Sequence, residues 1–218
     1  MAFANYMKNI RLDGNESQVN MAKILDISVT ALKLIENGST KFPSEKVLKK
    51  ICEYTNSDPI EVIMNILFTE EDIHDRYLAC VYLAHMYLEG WNITESPLSI
   101  PLTKNLSRTL DAKITKKREN KNIIIVASCD RFFERLSLEE ILEDHNVNGY
   151  IGDVASLTLS IMGPFRGLHI LFDNQNKKQV QFFNLFEENA YHQLNFSIEL
   201  KLFNAIDNEV VASKKVTK

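Results

Sequence analysis

The chain is poor in the residues that staple or punctuate a fold: seven glycines, five prolines, three cysteines and one tryptophan among 218 residues. Cys52, Cys80 and Cys129 lie far apart, their count is odd and no CxxC occurs. That excludes a disulfide framework and a zinc ribbon, and reduced thiols fit a reducing compartment. The scattered glycines build no phosphate-binding loop. No sign of charge dominates: 25 Lys and Arg stand against 29 Asp and Glu, a formal net of −4. No global positive field therefore advertises nucleic acid, although a small module can carry its own patch. Long apolar runs are also missing. The strongest, "LACVYLAHMYL", is too short to cross a bilayer and contains His85. The N-terminus "MAFANYMKNIRLDGNES" has no charged segment followed by an apolar one, so it does not read as a signal peptide. A soluble, cytoplasmic protein without membrane contact is expected.

What is present begins with helical units. Phe3, Met7 and Ile10 have helical spacing, and Gly14-Asn15 closes that unit. Ser17 can cap a second helix whose inner face is Met21, Ala22 and Leu25. Asp26 occupies a turn and Ser28 caps a third helix with Ala31, Leu32 and Ile35 inward. Gly38 suits the position just past its end, because glycine tolerates positive φ. Pro43-Ser44 opens a fourth helix, with Val47, Leu48 and Ile51 inward. Asp58-Pro59 opens a fifth, a cap followed by proline at the first helical position, and Ile60, Ile63, Met64 and Leu67 continue it. Residues 70–90 read as one longer helix widened by Tyr77, Tyr82 and Tyr87, and "NITESPLSIPL" reads as a connection.

Residues 104–121 carry seven Lys and Arg against Asp111 and Glu119, a local net of +5. Leu106, Leu110 and Ile114 are four apart, which predicts an amphipathic basic helix, either a solvated face or a second contact to DNA phosphates. "NIIIVAS" reads as a buried strand. "CDRFFERLSLEEILEDHN" reads as one or two helices, with Ser137 able to cap the second. After Gly149 four runs look like strands: "YIGDVASLTLSIMG", "GLHILFD", "QVQFFNLF" and "NFSIELKLF". "DNQNKK" reads as a hairpin loop, and the tail from Asp207 as frayed. The expected fold class is therefore multidomain. An all-α, five-helix domain covers residues 1–70, a connecting helix and linker 71–103, and an α+β domain with a largely antiparallel sheet 104–208.

Ser17-Gln18, Met21-Ala22, Leu25, Ile27-Ser28, Leu32 and "IENG" at 35–38 fall, without insertion, at a spacing that resembles the phage-repressor/Cro-like helix-turn-helix family. Lys41 and Pro43 match positions common there, and the resemblance covers roughly residues 6–68. Asp26 stands where the family usually has Gly, and Asp visits the left-handed region at modest cost. The resemblance implies that Gln18 meets a phosphate at the start of the second helix. It implies that the third helix presents Ser28, Val29, Thr30, Lys33 and Leu34 to base edges, and that Ser39, Thr40 and Lys41 hold the backbone. Residues 1–68 contain eight basic and eight acidic side chains, so one copy should bind weakly. A homodimer on a two-fold operator would recover affinity, with the Tyr-rich helix at 77–88 as a candidate interface or as a core element.

Other chemistry is sparse. Cys129 and Arg135 fit C-x5-R, but the residues between are too bulky for a phosphate loop, so a buried Cys is the simpler reading. Glu199 and Lys201, with Asp173 or Asp153 upstream, resemble the PD-(D/E)xK nuclease pattern, yet period-two alternation produces the same spacing on a solvated sheet face. Cys80 and His85 are poorly spaced for one metal, His145, His169 and His192 are isolated, and Arg166 sits in a turn, "GPFRG". No catalytic residue, metal or cofactor is expected. The expected function is a sequence-specific DNA-binding transcriptional regulator, a repressor. Its partners would be double-stranded DNA, a second copy, and a small-molecule or protein effector at residues 104–208. An autoregulated antitoxin or inhibitor, or a nucleic-acid-processing enzyme, are the alternatives.

Overall fold

The computed structural model describes residues 2–103, 106–116, 119–129, 167–186 and 197–216. The chain divides into two compact units, Met1–Asp75 and Arg76–Lys218.

The first unit contains α1 (Ala2–Asp13), α2 (Gln18–Ile24), α3 (Val29–Glu36), α4 (Glu45–Thr55), α5 (Pro59–Leu67) and α6 (Glu70–Asp75). Their starts follow local chemistry. Ser17, Ser28 and Ser44 each accept a hydrogen bond from the backbone N–H three residues on, and Asp58 accepts from Ile60 ahead of Pro59. Their ends are set by residues that enter the left-handed region: Asn15, Asp26, Gly38 and Asn56 all have positive φ. Met7, Met21, Leu25, Leu32, Ile51 and Ile63 are fully buried. α1 packs on α3 and α5, α2 on α3, and α4 on α5.

The second unit begins with α7 (Tyr77–Leu88), continues through β1 (Trp91–Glu95), β2 (Leu98–Thr103), β3 (Leu106–Leu110), β4 (Ala112–Lys116), β5 (Glu119–Ser128) and β6 (Gly167–Asp173), and ends with α8 (Lys177–Leu185), β7 (Ser197–Asn204) and β8 (Glu209–Lys215). Six strands form one sheet in the order β1-β4-β5-β6-β7-β8, while β2 and β3 form a separate hairpin. β5, β6 and β7 run parallel; the flanking pairs are antiparallel. Alternation gives the sheet two buried faces. Ile125, Ala127, Leu168, Ile170, Leu200 and Leu202 share one core with Phe182, Phe183 and Phe186 of α8. On the opposite face α7 packs on β5 and β6. Arg76 anchors the start of α7: its guanidinium donates to the Asp111 carbonyl (2.9 Å) and to Ser96 Oγ (3.2 Å).

The fold class expected from sequence is overturned. Helices do not stop at a five-helix all-α domain: α6 and α7 follow, and strands begin at Trp91, inside the segment read as a linker. The sheet is mixed with a parallel centre, not largely antiparallel. Periodicity cannot distinguish the two, since residues along a strand alternate in the same way whichever direction the neighbour runs. The basic segment 104–121 is not a helix but carries β3, β4 and the start of β5. Leu106, Leu110 and Ile114 are four apart, a spacing that keeps one face in a strand as well as in a helix. "QVQFFNLF" is helical: Gln179, Phe182, Phe183 and Phe186 bury the i, i+3, i+4, i+7 stripe, and Asn176 caps α8 in place of a hairpin loop. The tail expected to fray forms β8, paired with β7. Residues 130–166, where Ser137, His145, Asp153 and Arg166 were singled out, and His192 lie outside the described residues.

α7 was a candidate interface. Nine of its side chains are buried, among them Tyr82 (1% exposed) and Tyr87, so the helix is a core element of its own unit and leaves only Tyr77 and Leu88 exposed at its two ends.

Candidate nucleic-acid interface

α2 packs on α3, and Met21 and Ala22 of the one and Leu32 of the other are buried, Ala22 at 2% exposed. The turn between them is closed by Asp26 at φ 52°, with the Ile27 N–H donating to the Ala22 carbonyl (3.0 Å). α3 is amphipathic. Leu32, Ile35 and Glu36 face inward, while Thr30, Lys33 and Leu34 are exposed and Val29 is half-buried. Thr30, Lys33 and Leu34 are spaced i, i+3, i+4, so they stand together on one face. Ser28 is exposed at the head of that face, its oxygen accepting from the Ala31 N–H (3.1 Å). Beyond the helix, Ser39 and Lys41 are exposed and Thr40 is half-buried. The Thr40 N–H donates to the Leu34 carbonyl (3.0 Å), which folds this loop back on the end of α3. Eight of the nine residues singled out from sequence thus lie at the cap of α3, on α3 or on the loop that closes it.

Gln18 is the exception. It is half-buried, and its amide donates to Glu36 Oε2 (2.8 Å), so one donor expected for a phosphate is turned inward. Glu36 is the residue that sequence reasoning missed. It is 4% exposed, and Arg11 of α1 grips it through Nε (2.6 Å) and Nη2 (3.3 Å). Burial opposes its ionisation, but the bonds from Arg11 and Gln18 outweigh that and hold its carboxyl below the ordinary range. The signal was available: Glu36 continues the inward stripe of Leu32 and Ile35, and a carboxylate there needs a cation. The network ties α1, α2 and α3 together and fixes the pose of α3.

The second unit holds a different polar cluster on the α7 face of the sheet. Tyr82 Oη lies 2.7 Å from His169 Nδ1, His169 Nε2 lies 4.0 Å from Glu199 Oε2, and Lys201 Nζ lies 2.6 Å from the same carboxylate oxygen. Burial first, then Lys201, push the His169 pKa down to about 4, while Glu199 opposes them. Burial raises the Tyr82 phenol, so Tyr82 is the donor to Nδ1. Glu199 and Lys201 are therefore partners in an ion pair. Asp173 does not join them: in register it faces Phe203, four residues along β7 from Glu199, or roughly 13 Å at strand rise. Among the described residues no group of three His, Cys, Asp or Glu could hold a metal. Cys80 is buried, whereas His85 is half-buried and faces Glu89 at 3.2 Å. Cys129 is buried, donates its N–H to the Leu171 carbonyl (3.0 Å), and its expected companion Arg135 lies outside the described residues. Of the basic segment, Lys113 is half-buried and Lys116 exposed; Lys104, Lys117 and Arg118 lie outside the described residues.

Comparison with family models, with curated proteins and with solved structures returned no match. No helix among the described residues is long and apolar enough to cross a membrane.

Proposed function

We infer that the chain is a sequence-specific DNA-binding transcriptional regulator, a repressor, that acts as a homodimer on a two-fold operator. The observation that carries this reading is the exposed row Thr30, Lys33 and Leu34 on α3, held by Arg11 and Gln18 on the buried Glu36 carboxylate and by two serine-capped helices. A rigid helix with a short polar and apolar face is the element that enters a major groove. Lys33 donates to guanine or to phosphate, and Thr30 and Leu34 pack on thymine methyl groups. The first unit carries no excess of positive charge, so tight binding comes from presenting two such helices about 34 Å apart. The mechanism is positional: occupancy near a promoter blocks polymerase. The second unit supplies oligomerisation or a contact to an effector.

Selection of bound sequences from random double-stranded DNA with the full chain tests this reading. A two-fold site is expected. Thr30→Ala and Lys33→Ala should each weaken it by about 1–3 kcal/mol, Thr30→Ala with relaxed preference at one position. No enriched sequence with a folded full-length chain sinks the reading.

A further inference from the structure

The geometry points to β8 as the surface through which a second copy of this chain docks, extending the six-stranded sheet across a two-fold axis. This rests on the homodimer part of the functional reading, for which it supplies the interface. β8 is the outer strand of the sheet: its one neighbour among the described strands is β7. The Val216 N–H donates to the Ile198 carbonyl (3.0 Å), and the register continues from there through Leu200↔Lys214 and Leu202↔Ala212. In an antiparallel ladder bonded pairs alternate, so Ala212 and Lys214 bond inward. Ser213 and Lys215 then direct their N–H and C=O groups away from β7, where a further strand would take them. At the other end a bulge inserts Val211 between the pairs Leu202↔Ala212 and Phe203↔Val210. It leaves Val210 38% and Val211 46% exposed, beside Ile206 at 76% in the preceding turn. An edge with no further described strand beside it and an exposed apolar corner thus coincide.

Charge selects the occupant. β8 begins with Glu209 and ends with Lys214-Lys215. The Lys214 ammonium is already committed to the carbonyls of Phe183 and Phe186 (both 3.0 Å). Glu209 and Lys215 are exposed; Lys215 stands opposite Glu199 in register and helps hold that carboxylate ionised, while its side chain remains open to solvent. An antiparallel second copy brings the acidic end of each strand to the basic end of the other. A parallel, in-register copy instead sets Glu209 against Glu209 and Lys215 against Lys215. The edge therefore suits one symmetric pairing that closes after two chains, which is the geometry of a two-fold operator.

Sedimentation velocity on the full chain over a range of micromolar concentrations tests the interface. Wild type is expected to dimerise. Ser213→Pro removes an outward N–H without touching an inward bond, and should raise the dimer dissociation constant about tenfold with the circular dichroism spectrum unchanged. Glu209→Lys and Lys215→Glu should each weaken the dimer, and an equimolar mixture of the two should restore it, because every facing pair is then opposite in charge. A wild-type dimer that survives all three substitutions, or no recovery on mixing, overturns β8 as the interface and leaves the homodimer standing. A wild-type chain that stays monomeric overturns both.

Discussion

Replacing Arg11 with Met should unfold the first unit at a lower denaturant concentration and leave the second untouched. Glu36 is 4% exposed and accepts three hydrogen bonds, two of them from Arg11. Without Arg11 the carboxylate keeps Gln18 alone and must sit unpaired in an apolar setting or take up a proton. Breaking a buried pair from one side costs about 3–5 kcal/mol. The Arg11 side chain retains 15% exposure, which places this pair at the low end, about 3 kcal/mol. For a unit of this size that lowers the melting temperature by about 12–24 °C. The two units can be read separately, because the single tryptophan, Trp91, lies in β1 of the second. The far-ultraviolet dichroism transition of the helices should move and the Trp91 fluorescence transition should not. Arg11→Met with Glu36→Leu should recover most of the loss, with a coupling energy of at least about 2 kcal/mol. Since the folded carboxyl is held below its ordinary range, the wild-type advantage is full at neutral pH and fades as pH falls through that lowered value. Equal shifts in both transitions, or additive losses, would refute the clamp.

Three further outcomes follow from other sites. The folded pKa of His169 lies at about 4 and the unfolded value at 6.5, so the unfolded chain binds the extra proton between them. The second unit should lose about 3 kcal/mol as pH falls across that window, and His169→Gln should flatten the Trp91-detected dependence; an unchanged slope counts against it. Lys214→Met strips the ammonium from the carbonyls that end α8 and should cost about 2 kcal/mol, seen as faster amide exchange in α8. Ser28→Ala should cost about 1 kcal/mol and speed exchange at the start of α3, because the Ala31 N–H loses its partner.

The starts and stops of α2 to α5 were legible in sequence because they depend on a few neighbouring atoms, whereas residues 70–90, expected as one helix, break at Arg76 into α6 and α7. Ser17, Ser28, Ser44 and Asp58 cap where their side chains reach an N–H two or three residues on, and Gly38 and Asp26 turn where φ must be positive. On α3 the inward placement of Leu32 and Ile35 was legible from spacing, while Ala31, expected inward, is half-buried and Glu36 takes the third buried position. The errors came where one pattern serves two structures. Leu106, Leu110 and Ile114 suit a helix and a strand equally, and "QVQFFNLF" contains both an alternation and a helical stripe. The tail from Asp207 was expected to fray; Glu209–Lys215 instead becomes a strand through the hydrogen bonds β7 offers it.

Sequence by itself determined the caps and turns of α2 to α5, the inward placement of Leu32 and Ile35 and the outward placement of Thr30, Lys33 and Leu34 on α3, since these rest on side-chain size, caps and 3.6-residue periodicity. Only the tertiary structure decided the direction of β5, β6 and β7, the burial of the Tyr-rich helix, and the pairing of Arg11 with Glu36, 25 residues away. Each of those depends on which distant segment supplies the missing hydrogen bond, apolar surface or charge. No local pattern carries that information.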